Sequence, residues 1–155
     1  MNNAVKLLIA LAVPLLIGFF GSFFTVSEIG SWYQTIRKPS WNPPNWIFGP
    51  VWTTLYVLMG ISLFLIWRSS ASHKRIAIIL FAIQLILNFF WSFIFFKQHQ
   101  IGFAFAEILA LWLMIILTIL AFGRINKLAA WLLVPYISWV SFAVILNFAI
   151  WQLNK

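Results

Sequence analysis

Residues 37–56 read RKPSWNPPNWIFGPVWTTLY, a stretch with four Pro, three Trp and two charges that leads into an apolar run. Pro39, Pro43 and Pro44 each fix φ and remove a backbone donor, so KPSWNPPN (residues 38–45) is a rigid extended or turn segment. Asn45 is placed to cap a following helix. Pro50 then falls in its early turns, where it either frees a carbonyl near Trp46 or delays the regular helix by a turn. Beyond it, Trp52 and Tyr56 are four residues apart and share a helix face. A stiff aromatic cover above a face bearing an indole and a phenol predicts a pocket.

The composition says which solvent surrounds that pocket. Of 155 residues, 64% are hydrophobic and 8% charged. A soluble domain carries about 25% charged residues to cover its surface. This chain cannot do so, and lipid must replace water around most of it. Ten Lys and Arg against two acids leave a net charge of +8. These charges sit in short gaps between apolar runs instead of on one basic face, which argues against a nucleic-acid partner. Without Cys there is no disulfide framework, thiolate chemistry or Cys-based zinc site. His73 and His99 lie beside or between apolar runs, and no metal site is expected.

Five apolar runs stand out, at about 4–26, 46–67, 76–96, 101–122 and 128–151. Each has the roughly 20 residues that cross a ~30 Å hydrocarbon layer as a helix. No alternation suggests a barrel. The expected fold is an all-α membrane protein, a single domain of five transmembrane helices over residues 1–155. The first run has no small-residue cleavage site after it and is expected to be retained. Short joints at Arg68–Arg75, Lys97–Gln100 and Gly123–Lys127 make sequential helices antiparallel neighbours. The first connection is longer, and its SEIGSWYQTI (residues 27–36) suggests a short interfacial helix, with Ser27 as cap and Trp32 and Tyr33 at headgroup depth. Trp41 and Trp46 suit the same aromatic belt. Lys6, Arg68, Lys74, Arg75, Arg124 and Lys127 share the side of the N-terminus, against Arg37, Lys38, Lys97 and Lys155 opposite. By the positive-inside rule the N-terminus is expected in the cytoplasm.

Polar residues within the runs mark inward faces, because they are costly against lipid. In QLILNFFWS (residues 84–92), Gln84, Asn88 and Ser92 recur every fourth residue with Trp91 beside them. Interhelical glue and donors to a bound polar group are both open readings. In the last run Tyr136, Trp139, Ala143, Asn147 and Trp151 share a face. Large aromatics around one small residue suggest a slot for a flat ligand, with Asn147 fixing its polar edge. The small residues of PLLIGFFGS (residues 14–22), and Gly102, Ala106 and Ala110, read as close-packing stripes. Glu107 lies about 9 Å along its helix and is expected to snorkel or pair with Lys97, with proton coupling as an alternative. Glu28 and Glu107 are the only acids, so hydrolysis and phosphoryl transfer have no machinery.

Four segments carry a family resemblance: PLLIGFFGS, WYQTIRKPSWNPPNWIFGPVWTTLYVLMG (residues 32–60), QLILNFFWSFIFF (84–96) and PYISWVSFAVILNFAIW (135–151). The chain resembles, from Pro14 to Trp151, the tryptophan-rich sensory protein family, whose mitochondrial member is called the translocator protein or peripheral benzodiazepine receptor. The resemblance implies a five-helix protein of a bacterial cell membrane, commonly dimeric. It implies ligands such as protoporphyrin IX, isoquinoline carboxamides and benzodiazepines, with no resident cofactor required. The implied pocket is lined by Tyr33 and Pro43 from the loop, Trp52, then Asn88, Trp91 and Ser92, and Trp139, Ala143 and Leu146. Some bacterial members degrade protoporphyrin in light, which implies a photochemical, catalytic role for Trp52 and Trp139. Mitochondrial members also bind cholesterol through an apolar–Tyr–basic pattern. Here Phe148 and Gln152 stand at its aromatic and basic positions, so cholesterol is not an expected ligand. A porphyrin receptor is thus the leading expectation. A transporter, with Pro50, Pro135 and Glu107 as hinge or coupling elements, and a structural membrane module are its rivals.

Overall fold

The computed structural model describes residues 2–155; Met1, part of the expected domain, lies outside the described residues. The described chain is all helix, without strands. Five helical spans are long and apolar enough to cross a membrane: Asn3–Ile29, Asn45–Trp67, Lys74–Lys97, Ile101–Gly123 and Lys127–Leu153.

The first span is a single helix, α1 (Asn3–Ile29), capped by Asn2, whose side chain accepts from the Val5 N–H at 2.9 Å. Sequence reasoning ended this helix too early. Ser27 lies inside it, with its hydroxyl donating to the Phe24 carbonyl at 3.1 Å, and so caps nothing. The short helix α2 (Trp32–Thr35) follows Ser31 instead. Nothing in residues 27–29 interrupts the backbone hydrogen-bond ladder, so the helix runs on to Gly30.

After the Pro-rich loop, a 3-10 turn at Asn45–Ile47 leads into α3 (Phe48–Trp67). Asn45 makes no capping bond, because Pro44 rather than Asn45 precedes the turn. The regular helix is delayed by a turn. That places Pro50 among the first helical residues, whose N–H groups have no intrahelical partner, so its missing donor costs no bond. The third span is α4 (Lys74–Ser92), which widens into a π-helical turn at Phe93–Lys97. His99, at φ 56°, then turns the chain into α5 (Ile101–Gly123). The His99 ring stacks on Trp32 at 4.1 Å, and its Nε2 lies 3.0 Å from Glu28 Oε2, which ties this turn to the ends of α1 and α2. The last span is broken into α6 (Lys127–Leu132) and α7 (Val134–Leu153), with Pro135 in the first turn of α7, where it breaks no hydrogen bond.

Packing pairs α1 with α3, α4 with α5, and α5 with α7, while α4 also touches α1 and α3. Small residues and buried hydroxyls bring the helices close. Ser62 Oγ donates to the Ala129 carbonyl at 2.7 Å, and Trp112 Nε1–H donates to Ser141 Oγ at 2.8 Å. Of the stripe in α5, Gly102 meets the Trp151 indole, but Ala106 and Ala110 are exposed on the outer surface. Alternating spacing could not say which small face turns inward.

The tightest approach is at Gly60, where an added Cβ would sit 2.7 Å from Leu11 Cα and 2.8 Å from the Ala10 carbonyl oxygen. These are backbone atoms and cannot swing away. Gly60→Ala should therefore force α1 off α3 and cost roughly 1–3 kcal/mol. Gly49→Ala, whose methyl meets nothing within 4 Å, should leave stability unchanged or slightly raised. Thermal unfolding of both variants in detergent checks the contrast; equal midpoints would show that the α1–α3 contact is looser than described.

Candidate ligand-binding site

The polar residues of the inner faces first find each other. Tyr56 O–H donates to Asn88 Oδ1, Asn88 Nδ2 donates to the Tyr136 hydroxyl at 3.0 Å, and Tyr136 O–H donates to Gln84 Oε1 at 2.8 Å. All four side chains are buried, and the chain stitches α3, α4 and α7 together. A second stitch joins α4, α7 and α5: Trp91 Nε1–H donates to Asn147 Oδ1, and Asn147 Nδ2 donates to the Ile101 carbonyl, each at 3.0 Å. In an apolar setting such bonds avoid the penalty of unpaired polar groups.

Between these stitches, α1 and the first loop lies a cavity of about 980 Å³, at the upper end of the roughly 300–1,000 Å³ range of small-molecule sites. Trp52 on α3, Trp91 on α4 and Trp139 on α7 contribute indole walls, and Asn88, Ser92 and Asn147 contribute polar atoms. Ala143 and Leu146 lie between them on α7, and Tyr33 reaches in from α2. Trp52 stacks on Tyr56 with centroids 5.6 Å apart, while Trp139 is braced by Phe48 at 6.0 Å and Phe142 at 5.5 Å. No lining residue is charged.

Of the residues that the family resemblance implies at the site, Pro43 alone is absent from the cavity wall; Asn45 and Trp46 carry the loop's contribution instead. The fifth-run face also divides. Trp139, Ala143 and Asn147 line the cavity, but Tyr136 is committed to Gln84 and Asn88, and Trp151 packs on Phe105 and Gly102. Gln84 is likewise glue and not a donor to the cavity. Asn147 bonds Trp91 through Oδ1 and the Ile101 carbonyl through Nδ2, which braces the wall and leaves each atom one further bonding position. Glu107 makes no pair with Lys97: its carboxylate oxygens are sealed from solvent and unpartnered among the described residues.

The sequence reading missed the first helix. Gly18, Gly21, Ser22 and Thr25 form a cavity wall, although their spacing reads as packing alone. They do both. Gly18 lies directly against the Tyr56 ring, leaving no room for a Cβ, and Gly21 faces Ser92 and Phe89.

The loop above is fastened at two points. Asn154 accepts from the Arg37 N–H at 2.9 Å and donates to the Arg37 carbonyl at 2.8 Å, while Tyr33 O–H donates to Asn42 Oδ1 at 2.9 Å. The Lys38 ammonium caps the Tyr33 and Ile36 carbonyls. Tyr33 is only 3% exposed. Burial pushes its phenol up to about 12 from an ordinary 10.

The scan against family models matches the chain over residues 10–152 to the model described as TspO/MBR family. The chain is 45% identical to the tryptophan-rich protein TspO of Chlorobaculum tepidum over 159 residues, covering 99% of each chain. It is 39% identical to the translocator protein of Homo sapiens over 139 residues, covering 88% of this chain and 82% of that one. To the tryptophan-rich sensory protein of Cereibacter sphaeroides it is 36% identical over 123 residues, covering 79% and 77%.

Two outcomes follow from the site. Ala143→Phe should fill the gap between Trp139 and Asn147 and weaken binding of a flat ligand about tenfold, or about 1.4 kcal/mol, by fluorescence titration of the folded variant. The loop should also loosen in alkali. The Tyr33 phenol ionises near 10 when unfolded and about 12 when folded, so its contribution to stability is complete below pH 10 and declines as pH rises toward 12. Thermal unfolding across that window should show the decline in the wild type, and a shallower one in Tyr33→Phe.

Proposed function

The chain belongs to the TspO/MBR family, and we propose that this integral membrane protein is a receptor for porphyrins, with protoporphyrin IX as ligand or substrate. The observation that supports this most is the cavity itself: about 980 Å³, lined by no charged residue, and walled by four indoles, Trp46, Trp52, Trp91 and Trp139. A flat macrocycle gains apolar burial and ring–ring contact against such walls. Asn88 and Tyr56 bond each other, which holds those two walls in place, so less side-chain ordering is left to occur when a planar guest binds. Isoquinoline carboxamides and benzodiazepines, smaller flat molecules with the same apolar character, and a homodimeric assembly belong to the same proposal.

Light-dependent degradation is its further part. The bound ring supplies the light absorption and excited-state chemistry. The protein holds the ring against Trp52 and Trp139, whose indoles are the most readily oxidised groups on the wall, and limits the access of water. Trp52→Phe and Trp139→Phe keep an aromatic wall while removing the indole. Either variant should retain porphyrin affinity within about threefold, under ~1 kcal/mol, and lose most light-dependent consumption of the ligand. The comparison is product formation under equal light and oxygen for wild type, both variants and porphyrin in detergent alone. Equal rates and identical products in all four would leave a receptor without photochemistry. Absence of binding by the wild type would defeat the receptor reading itself, and accumulation inside sealed vesicles would favour the transporter.

A further inference from the structure

The cavity is walled off on three of its sides. Between α1 and α4 the seam is shut by Phe24, which packs on Phe89 and Phe93 at 5.7 and 5.3 Å. Between α3 and α7 it is shut by Trp139 on Phe48 and by Trp52 on Tyr136 at 6.2 Å. Between α4 and α7 the two hydrogen-bonded stitches close it. The seam between α1 and α3 differs along its length. At Gly60 the two backbones touch, and at Gly18 the α1 backbone lies on the Tyr56 ring. Toward the loop the contact is lost. Phe19, Ser22 and Val26 on α1, and Trp46, Gly49 and Thr53 on α3 and its leading turn, line the cavity and are also exposed on the outer surface. Val26 is 71% and Trp46 73% exposed, and a Cβ on Gly49 would meet nothing within 4 Å. Their spacings of three and four residues trace the facing edges of two helices that cross low and splay apart above.

We infer that this wedge between α1 and α3 is a lateral portal through which a membrane-dissolved, largely apolar molecule exchanges between the hydrocarbon of the bilayer and the cavity. The surface it opens on belongs to two spans that cross the membrane, so the medium outside is lipid. The aqueous side is fastened by the Arg37–Asn154 and Tyr33–Asn42 bonds. The α1 helix is suited to be the moving wall. Only Ala10, Pro14 and Gly21 of it are buried, and along the seam with α3 its closest contacts are made at Ala10, Leu11 and Gly18, while its large side chains Leu15, Ile17 and Phe24 are only partly buried.

The inference rests on the receptor reading, and the test separates the two. The chain has no Cys, so Val26→Cys with Gly49→Cys places the only thiols across the wedge. Bridging them with a bifunctional thiol reagent, in protein reconstituted into vesicles, should slow uptake of protoporphyrin IX from donor vesicles about tenfold, a barrier change of about 1.4 kcal/mol. The rate is compared with that of the same Cys pair left unbridged, so any effect of the two substitutions on the cavity wall they line is common to both. A monofunctional reagent on the same variant should slow uptake far less. Gly49→Trp, which plugs the wedge without a cross-link, should also slow it. A bridge across the loop, through Arg37→Cys with Asn154→Cys, should leave the rate unchanged. Binding with unchanged rates in both the bridged wedge and Gly49→Trp overturns the portal alone, as does slowing confined to the loop bridge. Absence of binding by the unbridged wild type overturns the receptor reading and the portal with it.

Discussion

The hydrogen-bonded run from Tyr56 through Asn88 and Tyr136 to Gln84 governs the rest of the bundle. With lipid outside, the helices gain little from hiding apolar side chains from one another, since the solvent is equally apolar. Association instead relies on close packing and on polar groups that have nowhere else to bond. This run supplies the second of these for α3, α4 and α7 at once. It also sets the rotation of each helix, because an amide or phenol turned toward lipid would lose its partner at a cost of several kcal/mol.

That rotation creates the cavity. With Asn88 and Tyr136 fixed against each other, Trp91 on α4 and Trp139 on α7 are carried to the cavity side of the seam. Asn147 then holds Trp91 upright from across the gap while gripping the carbonyl of Ile101 at the start of α5. Of the cavity's indoles, Trp91 is held by a bond that also joins helices, while Trp52 and Trp139 are held by ring contacts with Tyr56, Tyr136, Phe48 and Phe142. The residues that hold the helices together thus also shape the cavity wall. The first helix differs: it meets α3 through small residues at Ala10 and Gly18, packs on α4 through Phe24, and among the described residues no side-chain hydrogen bond ties it to the middle of another span.

Helix number and membrane placement were legible because they depend on length and polarity along one dimension. Five runs of adequate length, separated by charged joints, admit little else, and the structure has five spans. An irregular entry into α3 was legible in part, since proline acts on its own backbone: a freed carbonyl near Trp46 and a one-turn delay were both open, and the structure has the delay. The error at Ser27 shows the limit of such signals. A good capping residue does not end a helix when the ladder can continue past it to Gly30.

The aromatic and amide residues of the inner faces could be read as a set from their spacing alone. Periodicity places Tyr136, Trp139, Ala143, Asn147 and Trp151 on one stripe, but it cannot say which neighbour each part of the stripe meets. Tertiary packing decided that: Tyr136 went to Gln84, Trp151 to Gly102 and Phe105, and only the middle of the stripe faces the cavity. It also decided that Asn147 is a brace, that Glu107 is sealed without a partner among the described residues, and that the glycines of α1 wall a cavity as well as allow close approach. By itself the sequence determined which polar faces turn inward, because the cost of a polar group in lipid depends on residue type and period, whereas a stripe of small residues such as Ala106 and Ala110 carries no such signal. Which inward residues meet, and where the helices part, depends on crossing points between distant segments such as Gly60 and Ala10, and only the folded bundle contains those.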